Sequence, residues 1–246
     1  MSQVLVIAGC DSSGGAGLVR DLYTLAHFGT AAACALTAVT AQSDAAVLAV
    51  QPLPPELVQA QIASALAAGE VGAIKIGMLA NAAIATAVAA CLPPRAKLPV
   101  VLDPVLCASS GARLIDAAGE EVLRAELLPR ASLLTPNLPE AAALLGARAA
   151  DSVAEQKRQG EALLGLGAAA VLVKGGHGSE AEAVDVLVRA GAAPREFRAP
   201  RVAHGIRGSG CALASGIAAA LAAGLALEVA CARARGYVLE LLRANS

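Results

Sequence analysis

A glycine-rich turn followed by a cysteine lies in the segment 204–224, HGIRGSGCALASGIAAALAAG. Gly208, Ser209 and Gly210 precede Cys211, and the alanine- and leucine-rich residues that follow predict a long helix starting here. The first turn of a helix has unpaired backbone N–H groups and a partial positive charge, so small residues there allow a phosphate or oxyanion to approach. A cysteine at this point would have its thiolate favoured. The alternative is a glycine-rich loop whose cysteine is a small buried apolar residue.

Acidic and basic residues follow three apolar runs that predict buried strands. Asp103 follows the run 100–102, and an aspartate at the tip of a parallel strand is well placed for a metal ion or its water shell. Glu140 stands three residues after Asn137, where it could serve the same site or complete a helix capping box, and the two roles are compatible. Lys174 precedes two glycines at a strand exit and could reach a phosphate, although a surface lysine is the common alternative.

The N-terminal part of the chain repeats the arrangement of strand followed by polar loop. The run 4–8 leads into a loop, GCDSSGGAG, and then into a helical pattern. This loop is not a P-loop, because no Gly-Lys-Ser/Thr follows, and it does not fit the dinucleotide fingerprint. A second predicted strand, 31–41, ends at Gln42, which is either a ligand contact or an ordinary loop amide.

The elements that must position these side chains alternate between strands and helices. Further strands are predicted at 73–78, 133–134 and 170–173, and helices at 55–68, 154–166 and 227–242. Two shorter strands, 184–188 and 196–198, are expected to be antiparallel. The alternation favours a mostly parallel sheet covered by helices on both faces, with chemistry at the carboxyl ends of the strands.

Composition narrows the class of protein. The 246 residues suit one domain without linkers, and 19 basic against 20 acidic residues with 2% aromatics give no indication of nucleic-acid binding. The apolar run Ala212–Leu227 contains serine and glycines and is too short for a membrane span, and the N-terminus has no signal-peptide pattern. Six dispersed cysteines without zinc spacing fit reduced thiols, so we expect a cytoplasmic protein.

Seven motifs, read together and in order, resemble one family. AGCDSSGGAG, TAVTAQSD, KIGMLA, VVLDPV, TPNLPE, VLVKGGH and GSGC resemble the hydroxymethylpyrimidine/phosphomethylpyrimidine kinases of thiamine biosynthesis, in the ribokinase-like superfamily. The resemblance covers almost the whole chain. It implies a single ribokinase-like kinase domain over residues 1–246, a three-layer α/β/α sandwich with a mostly parallel central sheet and no separate lid domain. It also implies a homodimer that uses ATP and Mg²⁺ to phosphorylate 4-amino-5-hydroxymethyl-2-methylpyrimidine and its monophosphate.

The resemblance also implies roles for individual residues. The catalytic group and its anion hole would be Cys211, Gly208, Ser209, Gly210 and Lys174. The acceptor pocket would be Gly9, Asp11, Gln42, Met78 and Cys107. The nucleotide would meet Asn137, Lys174, Gly208 and Gly210, and Mg²⁺ would meet Asp103 and Glu140.

The chain departs from the family pattern at several positions. Family members usually have Thr-His-Gly-Thr-Gly-Cys before the last helix, where this chain has Arg207 ahead of GSGC and a His-Gly pair upstream. Other departures are Val19 and Arg20 for Gln-Ala, Ser43-Asp44 for Asn-Thr, Ser109 for Lys, and an end at Ser246 ahead of the usual tail. Two alternatives stay open: a pyridoxal- or pyridoxine-type kinase, and a pyrimidine-binding regulatory protein with weak turnover. The presence of Cys211, Lys174 and Asp103 favours an enzyme.

Overall fold

The computed structural model describes residues 2–176, 182–202 and 205–245, so His204 and His177, the last residue of VLVKGGH, lie outside the described residues. The strands are Gln3–Asp11 (β1), Ala32–Gln42 (β2), Val47–Pro52 (β3), Val71–Ile76 (β4), Val100–Leu102 (β5), Leu133–Leu134 (β6), Ala170–Val173 (β7), Glu182–Arg189 (β8) and Arg195–Pro200 (β9). The helices are Gly17–His27 (α1), Pro55–Ala68 (α2), Ala82–Cys91 (α3), Ala117–Val122 (α4), Leu138–Leu145 (α5), Val153–Leu164 (α6), Ser209–Ala222 (α7) and Leu227–Ala244 (α8). A π-helical turn at Leu123–Leu127 and a 3-10 turn at Leu128–Arg130 continue α4.

The described strands form one sheet in the order β3-β2-β1-β4-β5-β6-β7-β8-β9. The six strands from β2 to β7 in that order are parallel neighbours, whereas β3, β8 and β9 pair antiparallel at the two ends. The predicted α/β fold with a mostly parallel sheet is therefore confirmed. Because parallel strands end on the same side, the polar residues that follow them reach a common edge.

Helices cover both faces of the sheet, which explains the continuous apolar runs of the central strands. Along β1, Val4 and Val6 pack into a core with α1, α7 and α8, while Leu5 and Ile7 pack into a second core with the helices α2, α3, α5 and α6. These two cores and the sheet between them form three layers. The alanine-rich α7 lies against the sheet, and Gly216 lets α8 approach it, since a Cβ there would lie 3.0 Å from the Ala234 Cβ.

Some elements have no clear signal in the sequence. The edge strand β3 carries the 80% exposed Leu48 and lacks the pattern of a buried strand. Helix α3 is buried along much of its length, so it has no polar face to reveal a helical period, and its clearest mark is the Asn81 cap. The apolar run Ala212–Leu227 turns at Gly224 between α7 and α8. Across the described residues, no helix has both the length and the apolar character needed to cross a membrane.

Candidate active site

A cavity of about 450 Å³ lies at the carboxyl ends of the parallel strands. It is bounded by the loop after β1, the ends of β2, β4 and β5, the N-terminus of α5 and the turn before α7. Every residue with a predicted site role lines this cavity: Gly9, Asp11, Gln42, Met78, Asp103, Cys107, Asn137, Glu140, Lys174, Gly208, Ser209, Gly210 and Cys211. Their proximity is as expected, and their individual roles stay predictions.

The start of α7 forms one wall of the cavity. Gly208 caps the helix in the left-handed region at φ 74°, and the first helical bond runs from the Ala212 N–H to the Gly208 carbonyl at 2.8 Å. A Cβ on residue 208 would lie 2.4 Å from the Gly15 carbonyl oxygen, so the two glycine-rich loops touch backbone to backbone. A cap without a side chain leaves the first amides of α7 facing the cavity, which suits a phosphoryl group.

Lys174 lies between two carboxylates beside that wall. Its Nζ is 2.8 Å from Asp103 Oδ1 and 3.8 Å from Glu140 Oε2. Burial lowers the pKa of Lys174, but the carboxylates of Asp103 and Glu140 outweigh this, so the pKa is raised and the lysine stays charged. A Cβ on Gly210 would lie 3.1 Å from Lys174 Nζ and 3.7 Å from Asp103 Oδ2, which places cation and carboxylate directly beside the α7 turn.

Asn137 and Glu140 form the expected capping box. Asn137 Oδ1 accepts from the Glu140 N–H and Glu140 Oε2 accepts from the Asn137 N–H, both at 2.8 Å. Burial raises the pKa of Glu140 to about 7, although Lys174 and the backbone amides of Asn137 and Leu106 oppose this. The capping interpretation is confirmed, and Glu140 still lines the cavity with a carboxylate.

These carboxylates fit Mg²⁺. Asp103 Oδ1 already accepts from Lys174 and from Thr135 Oγ1 at 3.3 Å, while no hydrogen bond among the described residues uses Oδ2. Glu140 lines the same cavity. No group of three or more histidine, cysteine or acidic residues within the described chain could hold a metal on its own. Mg²⁺ commonly binds through one or two carboxylates and completes its shell with water and phosphate oxygens, so this pair is sufficient.

The thiol of Cys211 contradicts one expectation. Burial raises the pKa of Cys211 to about 11, and Lys75 only partly offsets this while Asp21 and Asp103 add to it. The thiolate expected from the helix start is therefore wrong, because burial outweighs the effect of the first turn. Lys75 is the cation that lowers this pKa most, and the carboxylates of Asp21 and Asp103 oppose it.

A buried ionic cluster of Lys75, Asp21 and Ser215 lies beneath the cavity, and sequence reasoning gave it no role. Lys75 Nζ is 2.8 Å from Asp21 Oδ2, and Ser215 Oγ donates to Asp21 Oδ1 at 2.7 Å. All three residues are fully buried. Burial lowers the pKa of Lys75, but the Asp21 carboxylate raises it by more. The net pKa is therefore raised and the lysine is charged. A lysine inside the otherwise apolar run 73–78 was the signal that could have revealed this pair.

Asp11 is fully occupied by protein donors. Its Oδ1 accepts from the Ser13 N–H and the Ser13 hydroxyl, both at 2.9 Å, and its Oδ2 accepts from the Ala16 N–H at 3.0 Å and from Arg207 Nη2. A carboxylate has about four lone-pair positions, so these four donors satisfy it. Asp11 therefore shapes the loop after β1 and holds Arg207, and its carboxylate has no lone pair left to accept a hydrogen bond from a substrate.

The other residues predicted for the acceptor pocket lie near the ends of β1, β2 and β4 and at the cavity rim. A Cβ on Gly9 would lie 2.8 Å from the Met78 sulfur, so the glycine lets Met78 pack over β1. Gln42 lines the cavity and its Oε1 accepts from Thr40 Oγ1 at 3.2 Å, while no hydrogen bond among the described residues uses its amide nitrogen. Cys107 is exposed at the cavity rim in a β-bridge with Arg113.

A profile of the phosphomethylpyrimidine kinase family matches residues 11–246. The chain belongs to this family. It is 44% identical to the hydroxymethylpyrimidine/phosphomethylpyrimidine kinase of Salmonella typhimurium over 88% of this chain and 82% of that protein. It is also 41% identical, over 98% of its length, to the thiamine biosynthesis bifunctional protein ThiED of Geobacter sulfurreducens, but spans only 49% of that longer protein.

Solved structures agree with the family assignment. A phosphomethylpyrimidine kinase from Clostridium difficile matches with a TM-score of 0.85 and 35% identity, over 98% of this chain and all of that one. A pyridoxal kinase from Staphylococcus aureus in complex with pyridoxal matches with a TM-score of 0.88 and 28% identity, over 99% and 88% of the two chains. This member of the phosphomethylpyrimidine kinase family is therefore a ribokinase-like phosphotransferase.

Proposed function

We propose that the protein transfers the γ-phosphoryl group of ATP to the hydroxymethyl oxygen of 4-amino-5-hydroxymethyl-2-methylpyrimidine, and then to the monophosphate so formed, in cytoplasmic thiamine biosynthesis. The observation that carries the proposal is that one cavity is lined both by Gln42 and Met78 and by the start of α7, whose first turn has no side-chain cap. Phosphoryl transfer depends chiefly on positioning and charge neutralisation, and both are present in this cavity.

ATP as the donor is supported by a relative and by the charges of the cavity. The Staphylococcus aureus pyridoxal kinase has been solved with AMP-PCP and pyridoxal, and it matches this chain with a TM-score of 0.86 and 29% identity. Asp103 and Glu140 would hold Mg²⁺, which when bound neutralises phosphate oxygens. Lys174 adds a fixed cation beside the α7 turn, where charge accumulates on the transferred group.

Cys211 has a narrower role in this scheme than a ground-state base. With a pKa of about 11 the thiol is protonated at neutral pH, so it can donate a weak hydrogen bond and shape the anion site. In a loose transition state the acceptor oxygen needs little deprotonation before it attacks, and the α7 amides and Lys174 supply most of the stabilisation. The second acceptor, a phosphate, is already ionised and needs no base.

A pyridoxal-type kinase is the second candidate, favoured by the close likeness of the fold to solved pyridoxal kinases. Gln42 distinguishes the two, because its amide offers a donor and an acceptor that match the amino group and ring nitrogen of an aminopyrimidine. A site that hydrogen-bonds its substrate rejects analogues that leave buried polar groups unpaired.

A coupled ADP-release assay over a panel of pyrimidine and pyridine alcohols tests the proposal. We expect the aminopyrimidine alcohol to have a higher kcat/KM than pyridoxal, and Gln42→Leu to raise its KM. Gln51→Leu, an exposed change on β3, is the matched control. A higher kcat/KM for pyridoxal would establish the second candidate instead, and light scattering of the same sample tests the expected homodimer.

A further inference from the structure

Three cationic side chains line the cavity among the described residues: Lys75, Lys174 and Arg207. Lys75 is fully buried and paired with Asp21. Lys174 bridges the carboxylates of the proposed metal and nucleotide side. Of these three cations, Arg207 is the one that contacts the predicted acceptor pocket, through Asp11, and does not contact the proposed metal ligands.

Arg207 makes two unequal contacts. Its Nη2 binds Asp11, whose side chain is 4% exposed, and its Nη1 binds Asp44 Oδ1 at 2.7 Å, where the Asp44 side chain is 93% exposed. The inner contact joins two buried groups and fixes the guanidinium at the cavity wall. An ion pair to a fully solvated carboxylate contributes little, so the outer contact can be exchanged for another anion at small cost.

The position of Arg207 suits a negatively charged acceptor. It immediately precedes the Gly208 cap of α7, so its guanidinium and the open amides face the same space. The two proposed acceptors share the pyrimidine ring and differ by a phosphate, which adds about −1.5 to −2 charge near pH 7. Guanidinium groups bind phosphate through paired N–H donors, and such charge-assisted bonds are stronger than neutral ones.

We propose that Arg207 is a specificity-determining residue that binds the phosphate of the monophosphate acceptor, with its Nη1 arm moving from Asp44 to that phosphate. Its Nη2 arm stays on Asp11, so the loop after β1 keeps its shape in both steps. Asp44 then acts as a competitor that the phosphorylated acceptor displaces. This inference rests on the proposed function and concerns the second phosphorylation.

Steady-state kinetics with the alcohol and the monophosphate as separate acceptors tests the proposal. Arg207→Gln should raise KM for the monophosphate about 10- to 100-fold, the equivalent of one charge-assisted hydrogen bond, and change KM for the alcohol much less. Arg207→Lys keeps the charge but loses the forked guanidinium, so its KM for the monophosphate should lie between those of the unmodified protein and Arg207→Gln. Asp44→Asn should lower KM for the monophosphate by about 1.5- to 5-fold, because removing the exposed partner frees the guanidinium.

Asp151→Asn removes the same charge from an exposed residue that does not line the cavity and is the matched control for Asp44→Asn. Equal losses for both acceptors in Arg207→Gln, or a raised monophosphate KM in Asp44→Asn, would show that Arg207 only braces the loops and would overturn the assignment. An unmodified chain that phosphorylates the alcohol but not the monophosphate overturns the role of Arg207 alone. An unmodified chain that phosphorylates neither overturns the proposed function together with this inference.

Discussion

The raised pKa of the Cys211 thiol leads to a quantitative prediction for its alkylation. At pH 8 a thiol with the ordinary pKa of 9 is about 10% thiolate, whereas one with a pKa of about 11 is about 0.1% thiolate. A more basic thiolate is more nucleophilic, with a Brønsted slope of about 0.4–0.5, so the rise in pKa makes the thiolate of Cys211 about 6–10 times more reactive. The net expectation is that native Cys211 reacts with iodoacetamide about tenfold more slowly than the same cysteine in the unfolded chain.

Peptide mapping by mass spectrometry measures this rate, with the guanidinium-unfolded protein as the reference for each cysteine. A pH series separates charge from access: limited access lowers the rate by a constant factor, while the raised pKa keeps the native rate rising beyond pH 9 toward a midpoint near 11. A midpoint at or below pH 8.5, or native Cys211 reacting faster than its unfolded reference, would refute the argument that burial controls this thiol. Such a result would restore a thiolate to the mechanism.

Two further predictions concern the charged groups around the cavity. Turnover should stop in EDTA and return on adding Mg²⁺. The Asp103→Asn, Glu140→Gln double variant should need far more Mg²⁺ for the same turnover. Full activity of that variant at low Mg²⁺ would show that neither residue belongs to the metal site. Lys75→Met leaves Asp21 as an uncompensated buried charge and should lower the free energy of unfolding in urea by about 3–5 kcal/mol, while Lys75→Met with Asp21→Leu should recover most of it. A loss below about 1 kcal/mol for the single variant would mean that the pair is solvated.

The membership of the site could be predicted because parallel strands end at a common edge. Asp103, Lys174 and Asn137 each follow a strand, and this rule was enough to expect them together. The capping box was equally visible, because the spacing of Asn137 and Glu140 is a local signal. Local patterns and strand order therefore account for most of the cavity wall.

The electrostatics of the site could not be predicted in the same way. Lys75 meets Asp21 across 54 residues, and Ser215 meets Asp21 across 194, so no local spacing indicates the cluster. The Cys211 prediction was wrong because a helix start favours a thiolate only where burial and neighbouring carboxylates do not oppose it. Likewise, the contact of Arg207 with Asp11 joins residues 196 positions apart and became visible only in three dimensions.

The backbone contact between Gly208 and Gly15 fixes the distance between the acceptor loop and the start of α7, because neither glycine has a side chain that could adjust the gap. This close contact has a consequence if, as proposed, the protein phosphorylates the same molecule twice. In the first step the attacking oxygen belongs to the hydroxymethyl group, and in the second it belongs to a phosphate one P–O unit further from the ring. If the γ-phosphoryl group stays in one place, the pyrimidine ring must lie closer to α7 for the first attack and further from α7 for the second. The proposed second phosphorylation would thus require a second binding position for the pyrimidine, which the intermediate would reach by shifting within the cavity or by leaving and rebinding.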